Sequence, residues 1–476
     1  MVERPTGIIP PVRTTAGLAV FFGTAPIHLA TSELGLGNVN KPQLCYNYQE
    51  AVELFGFDKN FERYTLCEAI YSHFALYNVS PIVLVNVLDP TSHTTAVSEA
   101  EYQIADEIAN LGKDVLKTDL VVKKEGTQLA EGTDYNLSYS SDGELLVTVV
   151  DGGALVGETA LKASFKRLDP ALVDIGDIIG GVDINTGDYE GLELVNSIFP
   201  LFRLLPGLVL APKYGEDPAV AAIIKSKVTN INAHFKCCGV VDIPSDAGKA
   251  DTYQKVAAWK NDNNYIDEHL IACWPKIRLG NDVYRLSTQL AGLINLVDAG
   301  NEDIPYESPS NKRLQMNGML RADGKELTYG IENANYLNGQ GVVTALNFLN
   351  GWTAWGNRTS IYPTNTDIKD AFIPVRRMSD WLSNQFIFTF WNQVDQPMTR
   401  RLIKRIVNSW NTYLNGLTAR EYILGGRLEF IEDENPLTDL LDGKLTFHMW
   451  IAPPPPAEHI TGIVEYDPAY FQVLFS

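Results

Sequence analysis

The feature that most restricts the fold is a change of period in mid-chain. From about Asp119 to Leu168, a stretch including LVVKKEGTQLAEGTDYNLSYSSDGELLVTVV alternates apolar and polar residues. It is broken by Gly126, Gly132 and the turn Ser141-Asp142-Gly143. A period of two punctuated by glycine predicts a small antiparallel β module. Helix and strand patterns run on either side of it, so the module reads as a guest inserted at 116–168 into an α/β domain split between 17–115 and 169–360.

That α/β domain is legible strand by strand. The apolar runs Leu18 to Gly23 and Ile82 to Leu88 have the continuous character of buried parallel strands, with helical patterns at Tyr48 to Phe55 and Leu66 to Tyr77 between them. From Asp188 the alternation continues. A helix near Leu192 to Leu205, a strand Gly207 to Ala211, a helix Pro218 to Phe235, a strand Cys238 to Ile243 and a helix Asp251 to Trp259 precede the apolar run Leu270 to Trp274 and a helix Leu286 to Val297. Such alternation predicts a doubly wound, mostly parallel sheet. At 476 residues the chain has room for about three domains of ~150 residues. The remaining pieces are an extended proline-bearing arm at 1–16, a C-terminal α+β domain at 361–452 and a linker arm at 453–476. The α+β domain has helical patterns at Met378 to Trp391 and Thr399 to Leu414 and strand-like Tyr422 to Ile431 and Lys444 to Ile451.

Charge and motif searches exclude several classes of function. A net charge of −20 opposes a chain-wide affinity for nucleic acid, whose phosphates need a basic surface. No window approaches the ~18 apolar residues of a membrane span, and MVERPTGIIPP lacks the basic start and apolar run of a signal peptide, so synthesis and folding in the cytosol are expected. The five cysteines have no CxxC spacing and read as buried thiols. There is no GxxxxGK(S/T) loop, and Gly339-Gln340-Gly341 lacks the third glycine of a dinucleotide site. The seven histidines include no HExxH pair, and no GxSxG elbow occurs. Cys237-Cys238 sits in an apolar strand, where a thiolate is disfavoured. Asp242 ends that strand where α/β enzymes place catalytic groups, and a helix cap explains it equally well. No catalytic, cofactor or metal residue is assigned.

One charge feature stands out. Between Val375 and Arg427 eight basic residues face three acidic ones, a local +5 that leaves −25 for the rest. Arg400, Arg401, Lys404 and Arg405 fall on adjoining faces of one helix whose Leu402, Ile403, Ile406 and Val407 point inward. A solvated basic face and a contact with an acidic partner are both open.

Several segments together resemble the tail sheath family of contractile phage tails and phage-tail-like bacteriocins. They are VRTTAGLAVFFGTAP, TLCEAIYSHFALYNVSPIVLVNVLD, SPSNKRLQMNG, WGNRTS, PVRRM and HMWIAPPPPAEHI, spanning nearly the whole chain in order. EGTDYNLSY is similar to the sandwich insertion of many sheaths. The resemblance implies a subtilisin-like central fold without a protease triad, an inserted antiparallel β-sandwich, a C-terminal domain facing the tube, and a structural, non-enzymatic role. A hydrolase on the same α/β core is the alternative from another class.

It further implies six-fold rings stacked in a helical array around an inner tail tube. Baseplate and tail terminator proteins are the other expected partners, with no nucleic acid and no membrane. The place is a virion tail or an extracellular phage-tail-like particle, assembled in the bacterial cytoplasm. Contraction then drives the tube through a target envelope. Neighbours would stay linked by strands donated to adjacent sheets. Ile460, Gly462, Val464 and Tyr466, beyond the stiff Pro453 to Pro456, make the donated strand, and Phe430, Phe447 and Trp450 belong to the acceptor sheet. Arg400, Arg401, Lys404 and Arg405 become the contact to the tube or a neighbouring subunit. Family members usually carry a longer strand ahead of the proline-rich entry than MVERPTG, so strand exchange is expected to lean on the C-terminal tail.

Overall fold

The computed structural model describes residues 12–13, 15–184 and 186–475. The arm expected over 1–16 lies mostly outside them; within it, Val12–Arg13 pairs in parallel with Val79–Ser80. Strand β1 (Ala19–Gly23) is buried throughout, as five residues with no polar side chain require. It is followed by β2 (Gln43–Cys45), α1 (Tyr48–Phe55), α2 (Thr65–Ile70) and the equally buried β3 (Ile82–Asn86). The Asn47 side chain starts α1 by accepting from the Glu50 N–H at 2.9 Å. The helical pattern read to Tyr77 continues from Tyr71 as a π-type turn.

The inserted module contains β4 (Thr94–Ala105), β5 (Ile108–Lys113), β6 (Val121–Lys124), β7 (Thr127–Gln128), β8 (Tyr135–Tyr139), β9 (Glu144–Val149) and β10 (Ala160–Leu168). Their order is β8-β9-β5-β4-β10-β6-β7. Long β4 pairs with β10 over most of its length and with β5 at Ile104–Ala105, so one strand serves both halves of the sheet. Leu111, Leu145, Val147, Leu161 and Phe165 share the core beneath. The sheet therefore begins at Thr94, ahead of the expected boundary at 116. TTAVSEAEYQIA is too polar and alanine-rich to show a buried face, and pairing with β10 makes it a strand.

The chain then returns to the α/β layer through α3 (Val195–Phe202), β11 (Leu208–Leu210), α4 (Pro218–Val228), β12 (Cys238–Asp242), α5 (Tyr253–Asp262), β13 (Leu270–Cys273), α6 (Leu286–Gly300), α7 (Ile331–Asn338), β14 (Val342–Phe348) and β15 (Gly351–Trp355). The eight-stranded sheet runs β15-β14-β13-β12-β11-β1-β3-β2, parallel except for its two antiparallel edge strands. From β1 the chain steps one way to β3 and the other way through β11 to β14, the signature of double winding. Helix α4 stops at Val228 and not at Phe235 as its sequence suggested. Asn232 and Ala233 have φ of 49° and 63°, outside the right-handed helical region. Gly341, the second glycine of the dinucleotide-like piece, has φ of 69° at a turn, where a Cβ would lie 2.6 Å from the carbonyls of Thr359 and Tyr362. Its glycine serves the turn.

The last segment forms α8 (Ile373–Phe390), α9 (Arg400–Ala419), β16 (Gly426–Glu429) and β17 (His448–Ile451). Pro374, at the start of α8, lacks the N–H that a first turn leaves unpaired anyway. A separate core of Met378, Leu382, Leu402, Ile406, Trp410, Leu414, Leu417 and Leu428 holds these elements together. No described helix is long and apolar enough to cross a membrane.

Candidate inter-subunit surface

Helix α9 is amphipathic by construction. Leu402, Ile406, Trp410, Leu414 and Leu417 recur every three or four residues and are buried, and the Thr399 side chain caps the start by accepting from the Leu402 N–H at 3.2 Å. Ile403 and Val407, expected inside, are only half-buried. Arg400, Arg401, Lys404 and Arg405 are all exposed, and among the described residues none forms a salt bridge. Their i, i+4 spacing sorts them into two rows. Arg400 and Lys404 line a shallow groove with Ile403, Val407, Phe430 and Leu440, whereas Arg401 and Arg405 stand outside it.

Their position carries an energetic cost. Arg400 and Arg401, in the first turn, oppose the helix macrodipole by roughly 0.3–1 kcal/mol each. The other basic residues of the segment are spent inside the chain. Arg376 pairs with Asp370 and Asp380, Arg377 with Asp298, Arg420 with Glu302 and Arg427 with Glu429. The excess read from the sequence is therefore not one surface. Burial takes Arg376 and Arg377 out of it, because each is needed to neutralise a buried aspartate.

Strands β16 and β17 form a two-stranded antiparallel sheet with Leu428 opposite Met449 and Arg427 opposite Trp450. Such a ribbon is marginal alone. It leans on α9 through Leu428 and through Met449, whose sulfur lies 3.1 Å from Trp410 Nε1. Phe447 rests on Phe430 and Phe386, while Trp450 lies on the opposite face between Arg427 and His448. The two edges differ. Asn411 occupies the outward groups of Leu428, accepting from its N–H at 2.7 Å and donating to its C=O at 2.9 Å. By antiparallel alternation the outward groups of β17 are those of Met449 and Ile451, and among the described residues β17 pairs with β16 alone. No local pattern marks Asn411, whose role exists only because α9 lies across the sheet edge.

Past Ala452 the chain takes up no strand of its own. Ile460, Val464 and Tyr466 are 87%, 98% and 73% exposed, and Gly462 is exposed between them. The alternation read in Ile460 to Tyr466 thus falls in an exposed segment that pairs with no strand among the described residues.

Comparison with known proteins places this architecture. No family model matches the chain. The chain is 26% identical to the tail sheath protein of Burkholderia phage BcepMu, covering 99% of this chain and 97% of that protein. It is also 26% identical to the tail sheath protein of Escherichia phage P2, over 74% and 84% of the two chains. Over nearly its whole length this chain is similar to a phage tail sheath protein. Its fold matches a chain of the anti-feeding prophage baseplate at a TM-score of 0.59 and 14% identity, covering 98% of each chain. It also matches the sheath complex of an extracellular contractile injection system in the contracted state, at 0.57 and 13%, over 99% and 97%.

In this chain the carboxyl edge of the parallel sheet, where α/β enzymes hold their chemistry, is filled by internal pairing. Asp242 accepts from the Ser287 N–H at 3.0 Å and from its hydroxyl, at the start of α6. That is the helix-cap role left open by the sequence. Burial pushes the Asp242 carboxyl up to about 7. Arg285, 2% exposed, binds Glu62, Glu68 and Glu216 together. Cys237 and Cys238 are buried, and desolvation raises both thiols, Cys238 to about 12. Among the described residues no histidine nitrogen bonds a serine or cysteine. The relatives are structural sheath proteins, and the hydrolase alternative finds no support among them.

Proposed function

We propose that this chain is the sheath subunit of a contractile tail or tail-like particle, forming stacked six-fold rings in a helical array around an inner tube. The observation that carries the reading is the presence in one chain of an exposed, unpartnered apolar segment and an open sheet edge. Residues 460–466 are exposed and pair with no strand among the described residues, and β17 presents the outward N–H and C=O groups of Met449 and Ile451. Mutual satisfaction between copies is a heterologous contact, which generates an open helical array. Asn411 directs the donated strand to β17 and away from β16.

The rows of cations on α9 then serve the surfaces inside the array, Arg401 and Arg405 toward an acidic inner tube and Arg400 and Lys404 toward a neighbouring subunit. Baseplate and terminator proteins cap the two ends, and contraction drives the tube through a target envelope. The site of action is the virion tail or an extracellular particle, after assembly in the bacterial cytoplasm.

Electron microscopy of the purified chain tests this. Tubes or rings of six-fold symmetry are expected at high concentration and raised salt, where repulsion between acidic surfaces is screened. Monodisperse particles under those conditions would refute it. Ile451→Pro removes one outward N–H from an edge position that tolerates proline. It is expected to leave the monomer folded and abolish tubes.

A further inference from the structure

The root of the C-terminal arm is gripped by a residue a hundred positions upstream. After Pro453–Pro456, the Glu458 carboxylate accepts from Arg358 Nε at 2.9 Å, from Arg358 Nη2 in a shorter contact, and from Asn338 Nδ2 at 3.3 Å. The receptor is itself held in place. The Arg358 guanidinium lies 3.8 Å from the Phe372 ring centre and 4.3 Å from that of Tyr362, and its side chain is only 14% exposed. Asn338 Oδ1 accepts from the Asn357 N–H at 3.1 Å, tying α7 to the same loop. This is the WGNRTS segment, whose role the sheath reading leaves unexplained.

A bidentate guanidinium–carboxylate fork fixes orientation as well as distance. Its partners come from the α/β domain, not from the domain that ends at β17. From the geometry we infer that Arg358 and Glu458 form a positioning clasp, setting the point and direction from which residues 460–466 leave the subunit. Without it, the arm would swing from Ala457 on. A donated strand held near one trajectory has a higher effective concentration at its acceptor and loses less freedom on docking. The consequence for assembly rests on the strand-donation reading above, whereas the clasp itself rests on the contacts within one chain.

The test separates the two. Nitroxide labels at Gly462→Cys and at exposed Lys325→Cys report the arm's spread in the monomer, the native cysteines being buried. A single narrow distance is expected in the parent and a broad distribution in Glu458→Gln and in Arg358→Gln. The Glu458→Gln change lies at the surface, so an unchanged melting temperature checks that the fold survives. The critical concentration for tubes should rise about tenfold in each variant, and the double variant should be no worse than either, because both remove one interaction. A distribution as narrow in Glu458→Gln as in the parent, or a double variant that loses the sum of the two effects, overturns the clasp. If a chain ending at Pro456 still forms tubes, strand donation fails instead, and the distance measurement still decides the clasp.

Discussion

His269 sets up a pH dependence whose size follows from its surroundings. It is 3% exposed between the start of β13 and helix α8, with Nε2 3.3 Å from Asp380 and Nδ1 3.6 Å from Asp267. Burial alone lowers its affinity for a proton, but the nearby carboxylates of Asp267 and Asp380, the latter hydrogen-bonded to Nε2, outweigh this and raise the imidazole from 6.5 to about 9. A cation favoured in the folded state contributes stability that is complete below pH 6.5 and is lost as pH rises through 9. Holding the proton from 6.5 to about 9 corresponds to ~3 kcal/mol, at ~1.4 kcal/mol for each tenfold in proton affinity. His269→Asn removes the titrating group while keeping a polar side chain. Urea unfolding of both chains at pH 6, 7.5 and 9.5 gives a difference in which other titrations cancel. The deficit of the variant should be largest at pH 6 and shrink by ~3 kcal/mol at pH 9.5. A deficit that stays constant across the range would refute the argument, because packing would then account for the residue.

Three other outcomes are expected. Asp242, raised by burial to about 7, works in the opposite sense to a salt-bridged aspartate. Its share of stability falls as pH rises from 4 to 7, by up to ~4 kcal/mol, and Asp242→Asn should flatten that slope in denaturant titrations. Leu414→Ala, at a fully buried position of the C-terminal core, should cost ~2–5 kcal/mol in thermal or urea unfolding. Reversing Arg400 and Arg401 to glutamate should leave the monomer as stable or firmer by ~0.3–1 kcal/mol each, since acids suit a helix start. The same reversal should weaken co-sedimentation with the inner tube, and unchanged co-sedimentation would remove α9 from the tube contact.

Local sequence determined much of this protein. The unbroken apolar runs of β1, β3, β12 and β13 could only be buried strands, and the period of α9 placed its inner face, because these properties reside in consecutive residues. The order of motifs carried the resemblance to tail sheath proteins. Tertiary structure decided what depends on distant partners. Thr94–Ala105 is a strand only because β10 pairs with it, and Arg376 and Arg377 leave the basic surface only because Asp380 and Asp298 are buried beside them. Asn411 closes one sheet edge because α9 crosses it, and Glu458 meets Arg358 across a hundred residues. A pattern in sequence reports the face a segment can bury. Only the packed fold determines which charges are neutralised, which edges stay open, and from where an arm departs.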